Sequence, residues 1–212
     1  MVIPLREVLN IEPHFGDVDN LKIGLIADTH MPGTIANLWP QVHDAFDGVD
    51  CILHAGDLHV VDVIDELEQI APTFVSTGNG DVDVVHHRLQ EAWTGVLAGV
   101  PIGIVHHFPT PARASSERLT KKLNRAFPEF DPRIVIYGHT HLAELHEVET
   151  RIYINPGSAT LPNNQSTRLG TLGILELASD RVTVRLEQLT DHGTETIEEL
   201  NKEVQWGSVS TT

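Results

Sequence analysis

Five short apolar runs constrain the fold more than any other feature of this sequence. They are LKIGLIA (21–27), CILHA (51–55), PTFVST (72–77), PIGIV (101–105) and IVIY (134–137). Each is too short for a core helix and nearly unbroken in hydrophobicity, the pattern of a strand covered on both faces. Each run ends in polar residues: Asp28-Thr29-His30, Gly56-Asp57, Gly78-Asn79-Gly80-Asp81, His106-His107 and Gly138-His139-Thr140-His141. Ligands of open α/β sheets bind beyond the carboxyl ends of strands. Carboxylates, an amide and imidazoles therefore collect where a site is expected.

Between these runs the pattern changes period. A helix is expected over about 34–46, with Pro40 as an awkward breaker. Val60, Val61, Ile64, Leu67 and Ile70 recur at helical spacing. Residues 93–98 and 101–105 read as a pair of strands, and 114–127 as an amphipathic helix capped at Ser115 or Ser116. Residues 151–154, 171–177 and 181–189 read as strands of a second sheet. The order implies an α/β fold, a two-sheet sandwich with helices outside, in which both sheets feed one site. Residues 21–190 are read as one domain. Residues 1–20 form an extension with a helical or irregular piece around REVLN, and residues 191–212 an acidic tail with a short helix that frays.

Charge bounds the partners. Thirty acidic against fourteen basic side chains give a formal −16, and only four residues are lysine. Such a balance disfavours nucleic acid, whose grip needs basic groups to replace counterions. No apolar run approaches a membrane span, and the first twenty residues lack the apolar core of a secretory signal, so the expected compartment is the cytoplasm. The single cysteine, Cys51, excludes an internal disulfide and reads as a buried hydrophobe.

In DxH and HxH, residues two apart on an extended segment point the same way and can reach one centre. Glycines before Asp57, Asn79 and His139 permit tight turns and close approach. The donor set is nitrogen and oxygen without thiolate, which suits Mn, Fe, Co, Ni or Zn rather than a sulfur-rich structural zinc site. Seven donors exceed the needs of one tetrahedral ion, whereas two ions roughly 3.5–4 Å apart and sharing a carboxylate would use them all.

The series DxH, GD, GN, H and GHxH, in that order, resembles the calcineurin-like metallophosphoesterase superfamily. It is most similar to the small stand-alone phosphodiesterase branch that also includes the retromer subunit of eukaryotes. The likeness runs from about Leu21 to Leu189, and NPGSATLP (155–162) resembles a segment of that branch. The resemblance implies a two-sheet αββα sandwich of the metallophosphoesterase type. It also implies that Asp28, His30, Asp57 and His141 hold one divalent ion, and that Asp57, Asn79, His106 and His139 hold another, with Asp57 bridging. Manganese heads the implied metals; Ni, Co, Fe, Zn and Mg are alternatives. The implied reaction is hydrolysis of a small phosphate ester, foremost a diester, by in-line attack of a metal-bound hydroxide, with Asn79 also donating toward the phosphate.

Larger relatives carry Gly-Asn-His, whose histidine protonates the leaving group; here the position is Gly80. His59 and His107 are the candidates for that proton transfer. Arg168 is a candidate phosphate contact, set against the plainer reading of a surface arginine. His54 reads as a core or supporting histidine, and Trp39 and Trp93 as core aromatics. His14, His43, His86, His87, His146 and His192 read as solvated. A non-catalytic interaction scaffold on the same fold is the rival function, but it goes with an incomplete ligand set, and here all seven positions are filled. A homo-oligomer is compatible with either.

Overall fold

Ile23 and Leu25 point into one core, Ile26 into another, and all three are fully buried. That double burial follows from the architecture seen in a computed structural model, which describes residues 9–10 and 19–205. The strands are β1 (Leu9–Asn10), β2 (Asn20–Ile26), β3 (Cys51–His54), β4 (Thr73–Ser76), β5 (Leu89–Gln90), β6 (Ala92–Leu97), β7 (Val100–Val105), β8 (Ile134–Ile136), β9 (Ala143–Val148), β10 (Arg151–Pro156), β11 (Thr171–Ala178), β12 (Arg181–Thr190) and β13 (Gly193–Gln205). The helices are α1 (Pro40–Ala45), α2 (Asp62–Glu68) and α3 (Ser116–Ala126).

One sheet has the order β13-β12-β11-β2-β3-β4-β5, the other β1-β6-β7-β8-β10-β9. Their facing sides share a core that includes Leu25, Leu53, Phe74, Ile104, Ile136 and Ile154. α1 and α2 cover the outer face of the first sheet through Val42, Phe46, Ile64 and Leu67. α3 covers the outer face of the second through Leu119, Leu123 and Ala126. A mid-strand glycine admits an aromatic ring on each outer face: a Cβ on Gly24 would lie 2.9 Å from the Phe46 ring, and one on Gly103 2.7 Å from Phe127. The fold is the α/β sandwich expected, helices outside.

Register delivers the site. β2 runs parallel to β3 with Ile26 opposite His54, and β3 parallel to β4 with His54 opposite Val75. In the other sheet β7 runs parallel to β8 with Ile104 opposite Ile136, and β10 parallel to β8 with Ile154 opposite Ile136. Six carboxyl ends thus open at one edge of the sandwich.

Several expectations need correction. The strands at 171–190 do not join a second sheet with 151–154. β11 lies antiparallel to β2 in the first sheet, while β10 pairs with β8 and β9 in the second. β9 has no counterpart in the sequence reading, because its residues are only partly buried and carry a weak apolar signal. The helix expected over 34–46 is only α1, and Pro40 opens it at the first turn, where the missing N–H is not needed. The helix expected after residue 191 is the strand β13. Its apolar residues Ile197, Leu200 and Val204 have helical spacing, but the register slips between Arg185 and Glu187, and all three pack against the inter-sheet core. Leu9–Asn10, within the expected helical piece, pair with β6 as β1. His14 and the tail beyond Gln205 lie outside the described residues. Among the described residues no helix is long and apolar enough to cross a membrane.

Candidate metal centre

Backbone hydrogen bonds continue the strand pairing past the strands and lock the loops together. Asp28 N donates to Gly56 O at 2.9 Å and His30 N to Asp57 O at 3.0 Å. Gly138 N donates to His106 O at 2.9 Å. Across the two sheets, His139 N donates to Asp28 Oδ2 at 2.9 Å. The side chains of all seven expected ligands meet at this edge, but not through extended backbone. Asp28, His30, Asp57, His59, His139 and His141 all have left-handed φ, between 49° and 74°. The two-residue spacing therefore works through alternate curled residues rather than a strand pleat. Conformations of this kind cost energy in non-glycine residues and cluster at functional sites.

Asp57 is the geometric centre. Its Oδ2 lies 3.5 Å from His30 Nε2 and 3.5 Å from His106 Nε2. Its Oδ1 is held by the N–H of Gly80 at 2.7 Å. On one side, His141 Nε2 lies 3.7 Å from Asp28 Oδ1, and Asp28, His30 and His141 offer donor atoms within 4.8 Å of one another. On the other, Asn79 Oδ1 lies 3.2 Å from His106 Nε2 and 3.0 Å from His139 Nδ1. His106 Nδ1 donates to Ala55 O at 2.7 Å and His141 Nδ1 to Leu161 O at 2.8 Å, which leaves each Nε2 aimed inward. Histidine ligands are oriented by such carbonyl partners. His30 Nε2 is buried and has no hydrogen-bond partner. A buried nitrogen without a partner is costly unless a ligand completes it, so the donors fit divalent cations.

The electrostatics agree. Burial pushes the Asp28 carboxyl up to about 8; Asp57 adds to this against the pull of His106. Burial would also raise Asp57, but the His106 hydrogen bond, the Gly80 N–H and the charges of His106 and His30 outweigh it and leave it below the usual carboxylate range. His106 is raised despite burial, because Asp57 and Asp28 favour its cation. Burial and His59 lower His30 to about 4. Without cations, positive charge and protons gather on Asp28 and His106, where dications would serve instead.

Glycines make room for the cluster. A Cβ on Gly78 would fall 2.1 Å from Asp57 Oδ1 and 2.2 Å from Asp57 N. One on Gly80 would fall 2.1 Å from His59 Nε2. His59 thus fills the space beside Gly80, edge-on to His30 with ring centroids 4.3 Å apart, and with His30 and Asp57 forms a further triad of possible donors. His107 is exposed and packs edge-on against the His139 ring at 4.7 Å. Arg168 is exposed, its Nη1 donating to Ser166 Oγ at 3.1 Å, beside a cleft of about 280 Å³ that His141 also lines.

The sequence reading missed the supports. Asp81, buried, accepts N–H groups from Asp57 at 2.9 Å, His59 at 2.8 Å and Gly78 at 2.8 Å. Ser158 Oγ donates to Asp28 O at 2.7 Å, and Thr160 Oγ1 to Thr29 O at 2.7 Å. Asn155 Nδ2 donates to Gly138 O at 3.0 Å. The only sequence signal for these was their place in GNGD and NPGSAT. His54 is a supporting residue, as expected: Gly56 N donates to its Nδ1 at 3.0 Å, so Nε2–H donates to Thr29 Oγ1 at 3.2 Å. Trp93 is core, with Nε1 donating to Val75 O at 3.0 Å. His43 is not merely solvated but bonds Glu66 at 2.8 Å.

Comparison with known proteins bears on this centre. The family model for the calcineurin-like phosphoesterase superfamily domain matches residues 21–180. A probable metallophosphoesterase of Methanothermobacter thermautotrophicus is 35% identical over 146 residues, covering 67% of this chain and 79% of that one. A phosphodiesterase of Methanocaldococcus jannaschii is 28% identical over 170 residues, covering 74% and 93%. The structure of vacuolar protein sorting 29 from Cryptosporidium parvum superposes with a TM-score of 0.74 at 18% identity, covering 89% of this chain and all of that one, a likeness of fold.

Proposed function

Because this chain belongs to the calcineurin-like phosphoesterase superfamily, we propose that it is a dinuclear-metal phosphoesterase that hydrolyses small phosphodiesters. The observation that carries the reading is the position of Asp57 Oδ2, 3.5 Å from both His30 Nε2 and His106 Nε2, as a bridging carboxylate requires. In this reading Asp28, His30, Asp57 and His141 hold one ion, and Asp57, Asn79, His106 and His139 the other. Manganese is the first metal to try, since the donors are nitrogen and oxygen only. Bound ions would supply Lewis acidity toward phosphate oxygens and an activated water for in-line displacement.

The chain's own groups do the rest. Gly80 N–H holds Asp57 Oδ1, which leaves Oδ2 to face both donor groups. Asn79 Oδ1 faces the His106 and His139 nitrogens, and in this reading its amide hydrogens donate to a phosphate oxygen. In this reading His59, whose ring lies 4.3 Å from that of His30, hands a proton to the leaving oxygen, with His107 as the alternative donor. The test is hydrolysis of bis(p-nitrophenyl) phosphate with Mn²⁺, with and without chelator. Chelator-sensitive turnover is expected; no turnover with Mn, Co, Ni, Zn or Mg would move the assignment to an interaction scaffold on the same fold.

A further inference from the structure

A cleft of about 540 Å³ opens beside the metal centre, with Asn79, His106 and His139 on it and Lys122 of α3 among its lining residues. That volume exceeds what a lone phosphate needs and lies within the roughly 300–1,000 Å³ of small-ligand sites. Lys122 is half-buried on this flank, while its neighbour Lys121 is exposed. Arg118 lies one helical turn before Lys122, on the same side. Glu91 lines the cleft as well, so one acidic and one lysine side chain flank it outside the metal centre.

The wider charge pattern gives this flank its meaning. Four of the fourteen basic residues of a −16 chain fall in the eleven residues of α3, against one acid, Glu117. The net charge disfavours an approaching anion, and α3, with Lys122 on the cleft, is a locally basic segment that offsets it.

We infer that this cleft seats the part of the substrate beyond the scissile phosphate, and that Lys122 selects esters in which that part carries a second negative group, a phosphate or carboxylate. The inference rests on the phosphoesterase reading for where the scissile phosphate sits, and it narrows the substrate class to doubly anionic, nucleotide-sized esters.

The test is equilibrium binding to Mn²⁺-loaded protein of thymidine 5′-monophosphate and thymidine 3′,5′-bisphosphate, with phosphorus NMR to check that both stay intact. Wild type is expected to favour the bisphosphate by about tenfold. Lys122→Ala and Lys122→Gln should bring the ratio to within about twofold, Lys122→Arg should keep it, and Lys121→Ala, the same change of net charge away from the cleft, should keep it too. A wild type with no preference, or a Lys121→Ala variant that loses as much, would overturn the inference. Turnover of bis(p-nitrophenyl) phosphate without bisphosphate preference would remove this inference alone. A Lys122-dependent preference in a protein that hydrolyses nothing would support the anion site and remove the hydrolase reading.

Discussion

The carboxylate of Asp81 lies 2.9 Å from the backbone nitrogen of Asp57, so one buried acid positions another by holding its main chain. Asp81 also accepts from His59 and Gly78, so three loop N–H groups from two strand ends share one acceptor. Asp81→Ala should lower stability by roughly 3–5 kcal/mol, because buried donors lose a charged partner. Mn²⁺ titration of the folded fraction should show weakened binding although every ligand remains. Unchanged affinity and melting temperature would show that the loops hold themselves.

Asn79→Ala leaves both histidines of its group in place but removes the amide. Turnover of bis(p-nitrophenyl) phosphate should fall by about 10²–10³-fold, the usual loss when a donor to the transition state is removed. A fall of less than threefold in steady-state kinetics would remove Asn79 from the site.

His59→Ala tests the proton donor. An ester with a poor leaving group, such as dimethyl phosphate assayed for methanol release, should slow by about 10²-fold or more. The nitrophenolate-releasing reaction should slow much less. Equal slowing of both would assign His59 to metal binding instead, which its triad with His30 and Asp57 also permits.

The chelated protein should lose stability as pH rises from about 6.5 to 8. Asp28, raised to about 8, and His106, also raised, keep more protons in the folded than in the unfolded chain over this window, and that stabilisation is lost on deprotonation. Below about 6.5 the trend opposes this, since His30 and His54, each lowered to about 4, hold fewer protons when folded. Thermal melts at several pH values should show the decline, and Mn²⁺ or Asp28→Asn should flatten it. A chelated protein whose melting temperature climbs from pH 6.5 to 8 would contradict this.

Gly78→Ala should disrupt the centre more than Gly24→Ala. At Gly78 the new Cβ meets the Asp57 backbone nitrogen at 2.2 Å, which cannot yield; at Gly24 it meets the Phe46 ring at 2.9 Å, which can tilt. Overpacking of 1–3 kcal/mol is usual, and more is expected where backbone is hit. Comparable melting temperatures for the two variants would argue against this geometry.

The strand ends were legible because two-sided burial writes an unbroken apolar run, and the residues just beyond such a run are set apart by polarity. LKIGLIA, CILHA and IVIY end in Asp28, Asp57 and His139 in the structure much as in the sequence. β13 was not legible, because a register slip lets Ile197 and Leu200 face inward at helical spacing. The sheet membership of β11 was hidden because local pattern records burial, not partners. Asp81 and Ser158 escaped notice because they act on backbone atoms, and a residue that bonds main chain leaves no mark on the sequences it supports. The curled backbone at Asp28 and His141 escaped for the same reason: DxH and HxH read alike in a pleat or in a coil.

Six residues around the centre sit in left-handed conformations, each about 1–3 kcal/mol above a relaxed backbone. The loops are therefore springs held taut by the two sheets, and their readiness for a cation is financed by packing far away. Loosening that packing, for example by trimming Ile104 or Leu53 in the shared core, should slacken ion capture before it melts the protein.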